Sequence, residues 1–119
     1  MELLFLEPFM PIPLPFQSGQ LVVAVLREPR ERVWGCLLGL EGAGVALRGV
    51  DLHPWEEILS LVRRGEADQV SLSTRFIPMH RLENLYLDEA SSGVSSLGDE
   101  FLRRTGQEAR GFLEGSHSG

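Results

Sequence analysis

Two apolar runs joined by a charged turn constrain the fold more than any other part of the sequence. The first run, Leu21–Leu26, is continuous and rich in valine, which is typical of a strand buried on both faces. The second run, 32–41, contains Gly35 and Gly39, and glycine inside a strand indicates a sharp bend or a close approach of two backbones. This pair predicts a strongly bent antiparallel sheet of the kind found in small barrels.

Three further strands and one helix follow in the same stretch. The strands are predicted at 45–52, 70–77 and 81–87, with an interruption at 78–80 between the last two. A helix over about 54–64 is predicted between the third and fourth strands, with Asp51 or His53 as its cap. One apolar stripe on this helix should dock on the sheet, and its members are Trp55, Ile58, Leu59 and Val62. In the fourth strand, alternation places one set of side chains on a common face, namely Val70, Leu72, Thr74 and Phe76.

The chain divides into four parts by composition. Residues 1–19 form an apolar arm whose prolines at 8, 11, 13 and 15 exclude a helix, and 20–89 carry the five strands and the inserted helix. Residues 90–113 are a linker with a short C-terminal helical segment, and 114–119 are expected to be a disordered tail. Because the arm is apolar, we expect it to cover the domain's own core or to pack on a neighbouring subunit.

Charge and composition exclude several classes of protein. The net charge of the 119 residues is −6, and all 11 basic residues are arginine, so a broadly basic protein that coats nucleic acid is excluded. No uninterrupted apolar stretch reaches the roughly 18 residues of a membrane span. Cys36 is the single cysteine and is expected to be buried. The composition suggests a cytoplasmic protein from a thermophilic source.

The sequence offers no catalytic or metal-binding pattern. His53 and His80 would need a third ligand to hold a metal, and no tight spacing supplies one. The serines lie outside any nucleophile-elbow context. We therefore expect no enzyme activity, no catalytic residues, no metal and no cofactor.

Two motifs resemble those of the Sm-like (LSm/Hfq-type) small β-barrel. Leu21–Leu26, a charged turn and the pattern Val33-x-Gly35-x-Leu37 are similar to the first Sm motif, and 76–87 is similar to the second. The resemblance covers about 20–89 and implies a mainly β fold with α, a five-stranded bent antiparallel Sm-like/SH3-like barrel. It also implies edge-to-edge assembly and RNA binding. The stretch 47–51 is similar to uncharacterised bacterial proteins.

The chain departs from the Sm pattern in the loop after the second strand. Sm proteins that bind RNA carry Asp and Asn in that loop, where this chain has Glu41-Gly42-Ala43-Gly44. We therefore expect a non-catalytic module that acts by self-association, as a homo-oligomer, or by binding another protein. Its interface residues would lie on the fourth and fifth strands, at Phe76, Ile77, Leu85 and Tyr86.

The alternative is an RNA-binding protein of the same fold. A small basic cluster of Arg75, His80 and Arg81 would meet phosphates or bases. The net charge and the missing loop residues count against this alternative. The competing interpretation is structural: His80 caps its turn, and the arginines pair with Glu83 or Asp88.

Overall fold

The computed structural model describes residues 16–115. The predictions made for the prolines of the arm and for the end of the tail fall on 1–15 and 116–119, which lie outside the described residues. The strands and helices along the chain are β1 (Leu21–Leu26), β2 (Glu31–Glu41), β3 (Gly44–Asp51), α1 (Trp55–Arg63), β4 (Ser73–Pro78), β5 (Leu82–Leu87), α2 (Leu97–Thr105) and α3 (Ala109–Glu114). Short 3-10 turns occupy Ala67–Gln69 and Met79–Arg81.

The five strands form one antiparallel sheet in the order β4-β3-β2-β1-β5. Hairpins join β1 to β2 and β2 to β3, so these strands are neighbours in both sequence and space. The final strand crosses back to pair with β1, where Val23 lies opposite Tyr86. Among the described residues, β4 and β5 are the two edge strands, and the sheet is not closed between them. The predicted five-stranded antiparallel sheet with a few helices is thereby confirmed.

The glycines of the predicted bend have different roles. Gly35 lies opposite Gly49, and a Cβ built on Gly35 would come within 3.0 Å of the Gly49 Cα, so this is the close backbone approach that the sequence predicts. Gly39 lies where the pairing of β2 with β3 shifts register, and nothing stands within 4 Å of its missing Cβ. The bulge at Leu38 lets the long second strand bend there.

Both faces of the sheet are apolar, and each has its own cluster. The helix-side cluster lies between the sheet and the helices, and its buried members are Val23, Trp34, Cys36, Val50, Leu52, Ile58, Leu59, Val62, Phe101, Ala109, Phe112 and Leu113. The inner cluster lies on the other face, and its buried members are Val22, Ala24, Leu26, Val33, Leu37, Val45, Leu47 and Ile77. Adjacent residues of β1 enter different clusters, which confirms that this strand is buried on both faces.

The helices lie over one face through aromatic contacts. Trp34 of β2 is fully buried and meets Trp55 edge-on at a centroid distance of 5.3 Å and Phe101 at 5.5 Å. Phe101 of α2 stacks in turn on Phe112 of α3 at 5.0 Å. Such pairs each add about 0.5–1.5 kcal/mol beyond their buried area. Among the described residues, no helix has the length and apolarity needed to cross a membrane.

The start of α1 differs from the prediction. Pro54 is the N-cap, and no side chain caps the helix. The Asp51 carboxylate instead accepts a hydrogen bond from the His53 N–H at 3.1 Å, which stabilises the turn before the helix. Glu56 and Glu57 in the first turn complement the helix dipole.

The fourth strand also differs from its predicted start and orientation. It begins at Ser73, because Val70 and Leu72 follow a 3-10 turn and pack on the helix-side cluster. Within the strand, Ile77 is buried in the inner cluster, whereas Phe76 is 53% exposed. The predicted apolar face, which included Phe76, is therefore the face turned away from the inner cluster.

We predict that Gly49→Ala destabilises the fold by about 2–3 kcal/mol, since overpacked methyl groups force backbone shifts. The added Cβ would lie within 3.0 Å of both the Trp34 carbonyl group and the Gly35 Cα, and backbone atoms cannot move aside as a flexible side chain can. Urea unfolding followed by tryptophan fluorescence measures the change. The matched control is Gly39→Ala, whose Cβ meets nothing within 4 Å. An equal loss in both variants would contradict the packing argument.

Candidate functional site

The arginines predicted as a basic cluster meet at one end of the sheet around a single carboxylate. Glu31 begins β2, Arg75 lies in β4, and Arg81 ends the 3-10 turn before β5. The Glu31 carboxylate lies 3.6 Å from the Arg75 guanidinium and 3.9 Å from that of Arg81. These side chains are one-quarter to one-third exposed, so water reaches both ion pairs. The structure thus brings together two of the three predicted residues through an acid that the sequence argument did not identify.

Arg81 also holds two connections of the chain together. Its guanidinium donates hydrogen bonds to the Arg27 carbonyl and, at 3.2 Å, to the Pro29 carbonyl, both in the turn between β1 and β2. The Arg27 N–H donates back to the Arg81 carbonyl at 2.9 Å. Arg81 therefore has a structural role in joining the β1–β2 turn to the start of β5.

His80 is the exposed member of the predicted cluster. It lies in the same 3-10 turn as Arg81, and no side chain caps that turn. The predicted partners of the arginines are also different from those found. Glu83 pairs with Arg30 at 3.0 Å, and Asp88 faces Trp34 and the start of α2. Both acids therefore have partners other than Arg75, His80 and Arg81.

The four predicted interface residues divide between the core and the surface. Ile77 is buried, and Leu85 packs against the inner cluster, so both contribute to the chain's own core. Phe76 and Tyr86 are 53% and 40% exposed. They lie on β4 and β5, the two strands that have a single neighbouring strand among the described residues.

The register shows which backbone groups of β4 face outward. The Met79 N–H donates to the Ala43 carbonyl at 2.9 Å, so this pair and every second pair along the ladder are hydrogen-bonded. The backbone groups of Phe76 and Thr74 fall at the alternate positions and point away from β3. Pro78, which lacks an N–H, falls at such an outward position too.

The same argument applies to β5. The Asp88 N–H donates to the Leu21 carbonyl at 2.9 Å, and the ladder continues with Tyr86 opposite Val23. The alternate positions, Leu85 and Leu87, turn their backbone groups away from β1. Each outer strand thus presents two residues whose N–H and C=O groups can pair with a further strand.

Asp88, which directly follows β5, connects the sheet to the start of α2, and the sequence argument did not identify this role. Its carboxylate accepts hydrogen bonds from the Trp34 indole N–H at 2.9 Å, the Leu97 N–H at 2.7 Å and the Gly98 N–H at 2.8 Å. The Ser96 hydroxyl caps α2 and accepts a hydrogen bond from the Asp99 N–H at 2.9 Å. No local sequence pattern indicates that Asp88 accepts these hydrogen bonds, because Leu97 and Gly98 are nine and ten residues farther along the chain.

A groove of about 540 Å³ lies beside the β1–β2 turn and the turn before α1. Charged side chains of both signs line it, including Arg30, Arg32, Glu31 and Asp51. Acids and bases therefore balance each other there, and the groove selects no single sign of ligand charge.

The described residues include no group of three His, Cys, Asp or Glu side chains that could hold a metal ion. Cys36 is buried in the helix-side cluster, and burial, with a smaller contribution from Glu114, raises the pKa of its thiol. A raised pKa reduces the reactive thiolate. Comparison of the chain with family models, with curated proteins and with solved structures gave no match.

We predict that Asp88→Ala lowers the free energy of unfolding by about 3 kcal/mol, because it leaves three N–H donors without their acceptor. Chemical unfolding measures the loss. The control is Glu89→Ala, which removes the exposed neighbouring acid. A double-mutant cycle with Trp34→Phe should give a coupling of about 1–2 kcal/mol. Additive losses would mean that the Trp34–Asp88 hydrogen bond contributes nothing.

Proposed function

We propose that this protein is a non-catalytic Sm-like/SH3-like β-barrel module that acts by self-association through β4 and β5. The strand order and the 3-10 turn between the last two strands support the barrel. The observation that carries the self-association is the pair of outer strands with outward backbone groups and an exposed aromatic ring on each. Natural proteins usually block such edges, and in the part of the chain that the structure describes Pro78 and a few charges give partial protection.

The outward positions define one antiparallel register for pairing with a second copy. Phe76 of one copy lies opposite Leu85 of the next, and Thr74 lies opposite Leu87, since only residues with outward groups can exchange hydrogen bonds. Arg75 then lies opposite Tyr86, whose exposed ring accepts a cation–π contact. Arg75 can exchange its partner for this contact, because its pair with Glu31 is one-third exposed and weak.

This register predicts opposite effects of two changes at the same residue. Tyr86→Arg places two guanidinium groups opposite each other and should weaken self-association at least tenfold, whereas Tyr86→Glu places a carboxylate opposite Arg75 and should preserve it. Light scattering coupled to gel filtration measures the mass over a range of concentrations. A 13.2 kDa monomer for the unmodified chain at high concentration would refute the proposal.

A charge-matched control tests whether any added arginine disrupts the assembly. Leu102 on α2 is 41% exposed and belongs to neither outer strand, so Leu102→Arg should leave the mass unchanged. Phe76→Arg should act like Tyr86→Arg. If Phe76→Arg dissociates the assembly and both Tyr86 variants leave it intact, β4 pairs with another β4 and the proposed register is wrong.

RNA binding is the second candidate, favoured by the charge at one end of the sheet. Five arginines lie on or near the β1–β2 turn and the turn before β5, against four acids, while the chain as a whole carries −6. The arginines are Arg27, Arg30, Arg32, Arg75 and Arg81, and the acids are Glu28, Glu31, Asp51 and Glu83. Their exposed parts and His80 could contact the phosphates of a single strand.

If RNA binds there, Arg75→Gln should weaken the affinity and reduce the salt slope by about 0.7 for each lost phosphate contact. Fluorescence anisotropy of a labelled oligouridine at two salt concentrations measures both. Arg103→Gln, at the far end of α2, is the control. Arg81 is unsuitable for this test because it holds the two turns together. Absence of binding at about 50 mM salt and micromolar protein would exclude this candidate.

A further inference from the structure

A small cavity of about 210 Å³ lies between the end of β3, the helix α1 and the segment that precedes β4. Its apolar walls include Val50, Ile58, Leu61 and Val70. Val50 and Ile58 are buried members of the helix-side cluster, and Val70 packs against that cluster, so these walls belong to the packed core. Since an apolar cavity of about 150 Å³ can bind benzene, this cavity has room for one small ring or a short alkyl chain.

Two acidic residues, Asp51 and Glu57, line the polar edge of the cavity. Both are exposed, and neither forms an ion pair with another residue of the described part of the chain. None of the described residues that line the cavity is basic. Asp51 also lines the neighbouring groove together with Arg30 and Arg32, so Glu57 is the acid that belongs to this cavity and not to the groove.

The start of α1 lies at the same edge of the cavity, because its N-cap Pro54 is also a lining residue. A helix N-terminus by itself favours anions. Here Glu56 and Glu57 in the first turn already complement the helix dipole. An anion at this edge is therefore repelled by Glu57 and Asp51, whereas a cation is attracted by both carboxylates.

We propose that this cavity binds a small organic cation in which an ammonium group is joined to one ring or to a short alkyl chain. The apolar part fills the space between Val50, Ile58 and Val70, and the ammonium group lies at the edge beside Glu57. The charge stays at this edge because burying an ammonium group is costly, and at the edge it keeps contact with water and with the carboxylates. The site uses no residue of β4 or β5, so this inference is independent of the proposed self-association.

Three probes of nearly equal size separate the effect of charge from that of apolar contact. At neutral pH benzylammonium is a cation, benzyl alcohol is neutral and phenylacetate is an anion. Each probe is titrated into the full chain, and two-dimensional NMR of the isotope-labelled protein follows the backbone N–H signals of Leu61 and Val70. We expect benzylammonium to bind with a Kd on the order of 1 mM, which is reasonable for a ligand of about eight non-hydrogen atoms. Phenylacetate should bind at least tenfold more weakly, and benzyl alcohol should lie between the two.

The variant Glu57→Gln tests the role of the carboxylate, because it removes the charge and keeps the length of the side chain. It should weaken the binding of benzylammonium about threefold, as expected for an exposed ion pair, and leave that of benzyl alcohol unchanged. The matched control is Glu41→Gln, which removes an exposed acid at the end of β2, outside the residues that line the cavity. This control should change neither affinity.

Signal shifts at Leu61 and Val70 that are strongest with the cation, and a loss of affinity in Glu57→Gln alone, support the proposal. Equal affinity for the three probes, or tighter binding of phenylacetate, would overturn it. Equal losses in Glu57→Gln and Glu41→Gln would show that the net charge of −6 attracts the cation without a specific site, which also contradicts the proposal. Absence of shifts at these two residues at roughly ten times the expected Kd would show that the cavity binds no such ligand.

Discussion

The carboxylate of Asp88 joins the two layers of this protein. It lies at the end of β5, and it accepts hydrogen bonds from the Trp34 indole and from two backbone N–H groups at the start of α2. These bonds fix where the helical layer begins relative to the sheet. The aromatic contact of Trp34 with Phe101 of α2 follows from that placement, because the two rings can meet only if α2 starts beside the buried indole.

With the helices held on one face, the other face must be protected differently. The sheet is apolar on both sides, as the alternation within β1 requires, and a second helical layer is absent from the described residues. The sheet curves around the inner cluster and so buries part of this face, and glycines at the β2–β3 contact allow the curvature. Large apolar side chains that stay exposed on the sheet include Leu38 and Leu40 of β2 and Phe76 and Tyr86 of the outer strands.

Local pattern was sufficient to predict most elements, and long-range contacts explain the failures. The strands of the first two hairpins and the helix at Trp55–Arg63 were predictable, since each has its own periodicity and turn residues. The orientation of β4 could not be predicted in this way. Val70 and Leu72 pack on the helix-side cluster after a 3-10 turn, and among the described residues no second layer covers Phe76. The roles of Asp88 and Glu31 depend on partners 9 to 54 residues away, which no local pattern encodes.

The carboxylate of Glu31 determines how strongly two arginines are held at the basic end of the sheet. One carboxylate serves two arginines at 3.6 and 3.9 Å, distances at which partly exposed pairs contribute about 0–1 kcal/mol. Arg81 keeps its position without Glu31, because backbone carbonyls also hold it, whereas Glu31 is the one ion-pair partner that the described residues give Arg75. Arg75 can therefore exchange that carboxylate for an aromatic ring or a phosphate at little cost. Of the two arginines that pair with Glu31, Arg75 is thus the one that can change its contact.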